Sequence, residues 1–416
     1  MAKKVIIIGG GIVGLCSAYY LFKEGCQVVV IDKSSMNSGA SYVNAGYLTP
    51  SHIIPMAAPG MISMGLLYMF DTSSPFYIKP RLDIDFLKWA WYFKKSATKA
   101  RVEKAIPIIK EANVLSRELF MDIKNSGDLG PFHLERKGLL MLYQTNKERD
   151  HELEVAEKAK FLGLEVRELD KVGLSGLEPN VCINAEGAIH YECDAHGTPS
   201  DFMKRMKRFL VSKGVEIIQS EEVLSAKVKN NSLTELVTKT TSYAADEFVL
   251  AAGSWSANLS KKLGIKLPLQ AGKGYRINVE EATGISMPAI LMEAKIAVTP
   301  MLGYTRFAGT MEFSGINDTI RKNRVEAIAK GAERFYGGLK ISREAKDHAK
   351  CGLRPVTPDG LPYIGRTAAY NNLVIATGHA MMGWSLGPVT GKLTSQLIMN
   401  RPLTMNINAF APERRF

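Results

Sequence analysis

The sequence predicts an α/β fold: a Rossmann-like nucleotide-binding domain assembled from separate stretches of chain, joined to a discontinuous α+β domain that carries a mainly antiparallel sheet. Three observations predict it. The first 32 residues run strand, glycine cluster, helix, strand and acid in that order; strands that break into glycine turns recur at 248–256 and 373–384; and between about 267 and 350 the pattern changes to short alternating strands with one helix. The nucleotide-binding domain is expected from residues 1–50, 146–262 and 351–416, and the second domain from 51–145 and 263–350.

The opening unit is the most regular. Residues 5–8 are β-branched and suit a buried parallel strand; Gly9-Gly10-Gly11-Ile12-Val13-Gly14 leads into a helix at 15–23, and Gly25 stops it. Residues 28–31 form the second strand, and Asp32 stands at its end, 18 residues after Gly14. Gly9 permits a tight turn, Gly11 lets the backbone approach a pyrophosphate, Gly14 lets helix and strand pack closely, and Asp32 accepts hydrogen bonds from ribose hydroxyls. An acid at that place suits a ribose without a 2′-phosphate, so NAD and FAD both fit. The chain then enters Ser38 to Gly46, a loop of small residues rather than another strand and helix. Small side chains and free backbone amides suit a flat ring and a pyrophosphate, which favours a flavin and hence a glutathione-reductase-type domain.

Residues 34–70 contain no charged side chain, so this stretch is expected mostly out of water, and its prolines and glycines exclude a membrane span. Residues 85–104 show Phe86, Trp89, Phe93, Ala97 and Ala100 at helical spacing among Lys88, Lys94, Lys95, Lys99, Arg101 and Lys104. That pattern is expected to be a domain helix with a solvated basic face; the sharper alternative is contact with a membrane surface. Strands are expected at 137–143, 215–220, 248–252 and 373–377, and helices at 198–212, 317–336 and 385–399.

Composition narrows the function classes. With 46% hydrophobic and 23% charged residues, the chain of 416 residues is an ordinary globular protein rather than a disordered or fibrous one. Its 53 Lys+Arg against 41 Asp+Glu give +12, which favours an anionic ligand or surface. The basic residues are spread along the chain with no reader motif, which argues against nucleic acid as a partner. Five cysteines with no Cys-x-x-Cys pair argue against a disulfide framework and against a structural zinc site, so no metal is expected, and they point to a reducing, cytoplasmic compartment. Oligomeric state is not legible.

With these pieces placed, the sequence resembles the FAD-dependent D-amino-acid oxidase and dehydrogenase superfamily, most closely its bacterial D-amino-acid dehydrogenase branch. The resemblance spans essentially the whole chain and rests on Gly9 to Gly14 with Asp32, the 38–46 loop with Ala57-Ala58-Pro59-Gly60, Leu87-Lys88-Trp89, residues 249–256, the Gly352-Leu353-Arg354-Pro355-Val356-Thr357-Pro358-Asp359-Gly360 block, and Thr377-Gly378-His379 onward. It implies oxidative deamination of a D-amino acid, or of a secondary-amine analogue such as proline, by hydride transfer from Cα to the flavin N5, with electrons passed to a quinone or another acceptor at the inner membrane face. A glycine or sarcosine oxidase using dioxygen, and a subunit that keeps FAD within a larger dehydrogenase, are the alternatives.

The same resemblance assigns residues. Gly9, Gly11, Ile12, Val13, Gly14, Asp32 and Lys33 hold the nucleotide; Ala40, Ser41, Asn44, Ala45, Gly46 and Leu48 lie along the cofactor; Val223 meets the adenine, and Ala252, Gly253 and Trp255 the phosphates. Gly378, His379, Met382, Gly383, Trp384 and Ser385 present amides and a helix N-terminus to the flavin edge that gains charge on reduction. Arg354 is the expected anchor of the substrate carboxylate, because a guanidinium fork pairs bidentately with it, or else it pairs with an acid such as Asp359. Arg306 is a second candidate, and Tyr275 and His52 are candidates for the substrate pocket. Cys351 precedes the Arg354 block near where some relatives attach FAD covalently, but its offset from Asp359 differs by one. A free buried thiol and non-covalent FAD are expected.

Overall fold

The structure, a computed structural model, describes residues 2–60 and 74–416. Its nucleotide sheet has six strands in the order Glu216–Ile218, Gln27–Ile31, Lys4–Ile8, Glu247–Leu250, Leu373–Thr377 and Tyr363–Arg366, the first five parallel and the last antiparallel. The apolar runs KVIII, QVVVI, EFVL and LVIAT fit strands covered on both faces. Side chains alternate accordingly. Val5, Ile7, Val28, Val30 and Val249 pack under the helices Ile12–Lys23 and Pro199–Ser212, whereas Ile6, Ile8, Val29, Ile31 and Phe248 pack under a three-stranded antiparallel layer running from Ser225 to Ala244.

The second sheet roofs the first. Its path runs Lys350–Val356, Gln270–Val279, Tyr304–Phe313, Ile296–Met301, Ala289–Leu291, Leu139–Tyr143, Gly187–Tyr191 and Val166–Asp170, with Phe76–Ile78 beside Tyr304–Phe313. Two of its pairings are parallel, Ala289–Leu291 with Leu139–Tyr143 and Phe76–Ile78 with Tyr304–Phe313; the others are antiparallel. The helix Lys322–Phe335 covers one face through Val325, Ile328, Ala329 and Ala332. The opposite face looks onto the nucleotide sheet.

Several sequence expectations need correction. Residues 146–262 do not all belong with the nucleotide sheet, because Val166–Asp170 and Gly187–Tyr191 extend the roof; Leu139–Tyr143 is buried along its whole length and needs a strand on its outer edge. Lys350–Val356 also belongs to the roof. In the other direction, Lys99–Asn125 packs on the final helix through Ile109, Leu119, Val389 and Leu393. The expected helix at 85–104 is two, Ile84–Ser96 and Lys99–Asn125: the chain breaks at Ala97, and the Thr98 side chain accepts from the Arg101 amide to start the second. Ala100 therefore leaves the buried stripe, while Ala97 stays partly buried against it. The roof helix begins at Lys322 rather than 317, a second short helix Arg343–Asp347 follows it, and the last helix is Gly387–Ile398. The 61–70 part of the uncharged stretch lies outside the described residues. Among the described residues no helix is long and apolar enough to cross a membrane.

Candidate active site

A cavity of about 1390 Å³ lies between the two sheets. It exceeds the usual range for a drug-sized ligand and leaves room for a dinucleotide and a small second molecule. At one end the wall is Gly9, Gly11, Ile12, Val13, Asp32 and Lys33. Gly9 has φ +110°, and a side chain there would place Cβ 2.4 Å from the Ala251 carbonyl oxygen, so only glycine fits. Gly14 does not reach the cavity; a Cβ on it would stand 1.8 Å from the Gly9 carbonyl oxygen, so it serves the close packing of helix on turn. The Asp32 carboxylate accepts from the Gly10 amide at 2.7 Å and from the Ser34 amide and hydroxyl at 2.8 and 2.6 Å. It fastens the glycine turn while facing the cavity, leaving fewer lone pairs for a ribose than the sequence suggests. Val223, Ala252, Gly253 and Trp255 continue this wall, with the Lys33 ammonium 4.1 Å from the centre of the Trp255 ring.

The small-residue loop is not fully open: Ala40–Val43 makes one helical turn, and the Ser41 hydroxyl accepts from the Ile12 amide at 2.9 Å. Ala40, Ser41, Asn44 and Ala45 line the cavity. Gly46 and Leu48 do not. Gly46 is packed on the Gly197 backbone, its carbonyl accepting from the Gly197 amide at 2.9 Å, and Leu48 is buried in the core under the nucleotide sheet.

Across the cavity stand His379, Met382, Gly383, Trp384 and Ser385, with Gly378 set back from the wall. Ala380 between them adopts φ +48°, a conformation rare for a residue with a side chain. His379 shares a 2.9 Å hydrogen bond with the Thr390 hydroxyl, and burial lowers its pKa to about 3, so it is neutral at physiological pH. The Ser385 hydroxyl donates to Asn113 and accepts from the Thr49 amide. The indole nitrogen of Trp384 is buried with no hydrogen-bond partner, its ring packed against Phe120 and Phe202.

Arg354 lines the other end. Its Nη1 donates to the Thr310 carbonyl at 2.7 Å. Thr310 has φ +71° at an irregularity where the pairing of Gln270–Val279 with Tyr304–Phe313 shifts register, and the bulge turns its carbonyl onto the guanidinium. Asp359 is not the partner of Arg354, because Arg414 takes it with bonds of 2.7 and 2.9 Å. Among the described residues no carboxylate pairs with Arg354. Desolvation lowers the guanidinium pKa to about 10, which still leaves a cation on the wall at neutral pH. Ile54, Met56, Phe76 and Met311 supply apolar wall.

The other substrate candidates fare differently. Arg306 is off the wall: Nη1 donates to the Tyr42 and Asn44 carbonyls, Nε to Asn278 and Nη2 to the Tyr304 hydroxyl, so it clasps the 40–45 turn to the roof and has no donor pair to offer a ligand. Tyr275 contributes to the wall, but its hydroxyl donates to Glu312 at 2.7 Å within a buried group containing Lys273 and Arg324. His52 lines the cavity with Nδ1 3.3 Å from the Ser51 hydroxyl, and burial lowers its pKa to about 4. Cys351 is half-exposed, off the wall, its thiol near the Asp318 carbonyl. Thr310, Phe76 and Met311 were invisible in the sequence; a broken alternation within 304–313 was the available signal for the first.

Comparison with known proteins is consistent along the whole chain. The sequence pattern of one family, described as FAD dependent oxidoreductase (DAO), matches residues 4–397. The chain is 29% identical over 408 residues to D-amino acid dehydrogenase of Granulibacter bethesdensis, covering 96% of each, and 28% identical over 400 residues to D-amino acid dehydrogenase of Helicobacter pylori, covering 95% of each. Its fold is similar to that of glycine oxidase from Geobacillus kaustophilus, with a TM-score of 0.79 at 21% identity over 100% of both chains. It is also similar to that of L-proline dehydrogenase from P. horikoshii, with a TM-score of 0.76 at 18% identity over 99% and 97% of the two chains.

Proposed function

The chain belongs to the DAO family of FAD-dependent oxidoreductases, and on that premise we propose that it oxidises a small or apolar D-amino acid, or a secondary-amine analogue such as proline, to the imino acid that water then hydrolyses. One observation carries the substrate class: Arg354 is a partly buried guanidinium on the cavity wall with a single oxygen acceptor and no acid partner among the described residues. A buried cation left unpaired is costly, and a bidentate carboxylate removes that cost while fixing the ligand's orientation.

The residues fit FAD. The glycine turn admits a phosphate-bearing backbone contact, and the 40–45 turn and the 379–385 segment face each other across the cavity. When bound, FAD supplies the two-electron acceptor for the hydrogen at Cα. The chain's own residues do the rest by position. Arg354 holds the carboxylate, the Thr310 carbonyl holds Arg354, and Arg306 holds the turn against which the cofactor lies. The apolar wall excludes water and favours the neutral amine, the form that can be oxidised. His52 and His379 stay uncharged, so neither competes with Arg354 for the carboxylate.

For the acceptor, a membrane quinone is favoured by the outward face of Ile84–Ser96. Phe86, Trp89 and Phe93 face the core, leaving Ile84, Leu87 and Trp91 exposed on the same face as Lys88, Lys94 and Lys95. That combination suits the headgroup region of an anionic bilayer. Anaerobic mixing of the purified yellow protein with D- and L-amino acids, glycine, sarcosine and proline, following the flavin absorbance, tests the whole reading. The expected outcome is bleaching by D-amino acids, slow return of colour in air and fast return with a soluble quinone. Bleaching by glycine or sarcosine with immediate return in air would move the assignment to an oxidase.

A further inference from the structure

A second site lies outside the cavity, on the small antiparallel sheet of Tyr47–Leu48, Ala195–Gly197 and Leu134–Glu135. His133 immediately precedes the strand Leu134–Glu135, two residues before Glu135, and His196 is the cross-strand partner of Glu135. Ligand atoms of these three residues all lie within 4.8 Å of one another. His133 Nε2 is 3.7 Å and His196 Nε2 3.8 Å from the two Glu135 oxygens, too far for hydrogen bonds. His196 is completely buried, and neither of its ring nitrogens has a hydrogen-bond partner. Two orphaned nitrogens on one buried imidazole require an explanation, and a ligand in the gap between the three side chains supplies one.

We propose that His133, Glu135 and His196 form a binding site for a divalent transition-metal ion of the zinc class. Two imidazoles and a carboxylate are the donor set such an ion takes, with solvent completing the shell on the half-exposed Glu135 side. Bond lengths of about 2.0–2.2 Å put neighbouring donors roughly 3.3 Å apart, so the site must tighten by about half an ångström at the two recorded separations. The His133 ring is already held in a suitable orientation, because its Nδ1 shares a 2.8 Å hydrogen bond with the Thr198 hydroxyl, which turns Nε2 toward Glu135. Burial lowers the pKa of both imidazoles, so both are neutral at physiological pH. One group opposes binding: the Lys137 ammonium lies 2.8 Å from Glu135 Oε2 and occupies the carboxylate as a resident cation.

None of the three residues lines the cavity. The strand carrying His196 pairs on its other edge with Tyr47–Leu48, which follows the 40–45 turn directly. The ion therefore braces the frame behind the cofactor and takes no part in electron transfer.

The experiment uses the full-length flavoprotein after chelator treatment and desalting, titrated with Zn²⁺ by calorimetry, with metal analysis of the dialysed product. One ion per chain is expected, together with a rise in melting temperature. His133→Gln and Glu135→Gln, both partly exposed positions, should weaken binding by at least about tenfold while keeping wild-type flavin content. Lys137→Gln should tighten it severalfold by freeing the carboxylate. Absence of stoichiometric binding to the wild type, or an affinity unchanged in both His133→Gln and Glu135→Gln, would overturn the proposal.

Discussion

Arg354 and Arg306 show why one residue type at two promising places came to different ends. Both are arginines in roof strands, Arg306 buried and Arg354 partly so, but Arg306 has oxygen acceptors for Nε and both terminal nitrogens, whereas Arg354 has one, at Thr310. Spacing in the sequence cannot separate them, because the difference lies in which carbonyls the folded loops bring up. Arg354→Ala should retain FAD while raising KM for amino acids by about 100-fold or more, as expected for a truncated charge pair; steady-state kinetics beside the flavin content of the variant checks it. A second titrating residue lies away from the chemistry. Asp194 is fully buried against Ser51, and burial raises its pKa to about 7. It is therefore protonated in the fold at pH values where the unfolded chain is ionised, and the stability this contributes is lost as pH rises from about 4 toward 7. Asp194→Asn stays neutral throughout, so its melting temperature relative to wild type should rise by roughly 1–3 °C between pH 5 and pH 8. A difference that does not move with pH would contradict this.

At the level of elements, legibility followed how far local chemistry dictates the answer. The unit from Lys4 to Asp32 was readable element by element, because strand, glycines and helix there each have a local cause, although the helix begins at Ile12 rather than 15. Gly14→Ala tests that cause: its Cβ meets the Gly9 carbonyl, a backbone atom that cannot swing aside. The variant should lose about 3 kcal/mol or more and most of its bound FAD, read from a denaturant melt and the flavin-to-protein absorbance ratio. The break between Ile84–Ser96 and Lys99–Asn125 was missed, although Thr98 is an N-capping residue, because the basic and apolar spacing ran on through it. The Thr310 bulge left only a broken alternation within 304–313 as its trace, since the position of a bulge depends on the partner strand's register.

For the whole molecule, the two kinds of sheet were legible but their membership was not. Strands at 166–170 and 187–191 look locally like any others; only the buried outer edge of Leu139–Tyr143 decides that they extend the roof. The outward face of Ile84–Ser96 is likewise a property of the assembled surface. Leu87→Glu and Trp91→Glu together should lower sedimentation with anionic phospholipid vesicles by at least about tenfold, while turnover with a soluble acceptor stays at the wild-type level. Loss of both activities would mean that this face does more than dock.

The order of the nucleotide sheet also governs how the protein comes into being. Lys4–Ile8 is flanked by Glu247–Leu250, which in turn is flanked by Leu373–Thr377, so neighbouring strands are separated by some of the longest stretches of the chain. During synthesis the first glycine turn emerges more than 350 residues ahead of the 379–385 segment, and it has no wall opposite it until that segment and the strand Leu373–Thr377 leave the ribosome. Cofactor uptake is therefore a closing event of biosynthesis, and a nascent chain interrupted anywhere before Leu373 carries an interior sheet edge exposed to its neighbours.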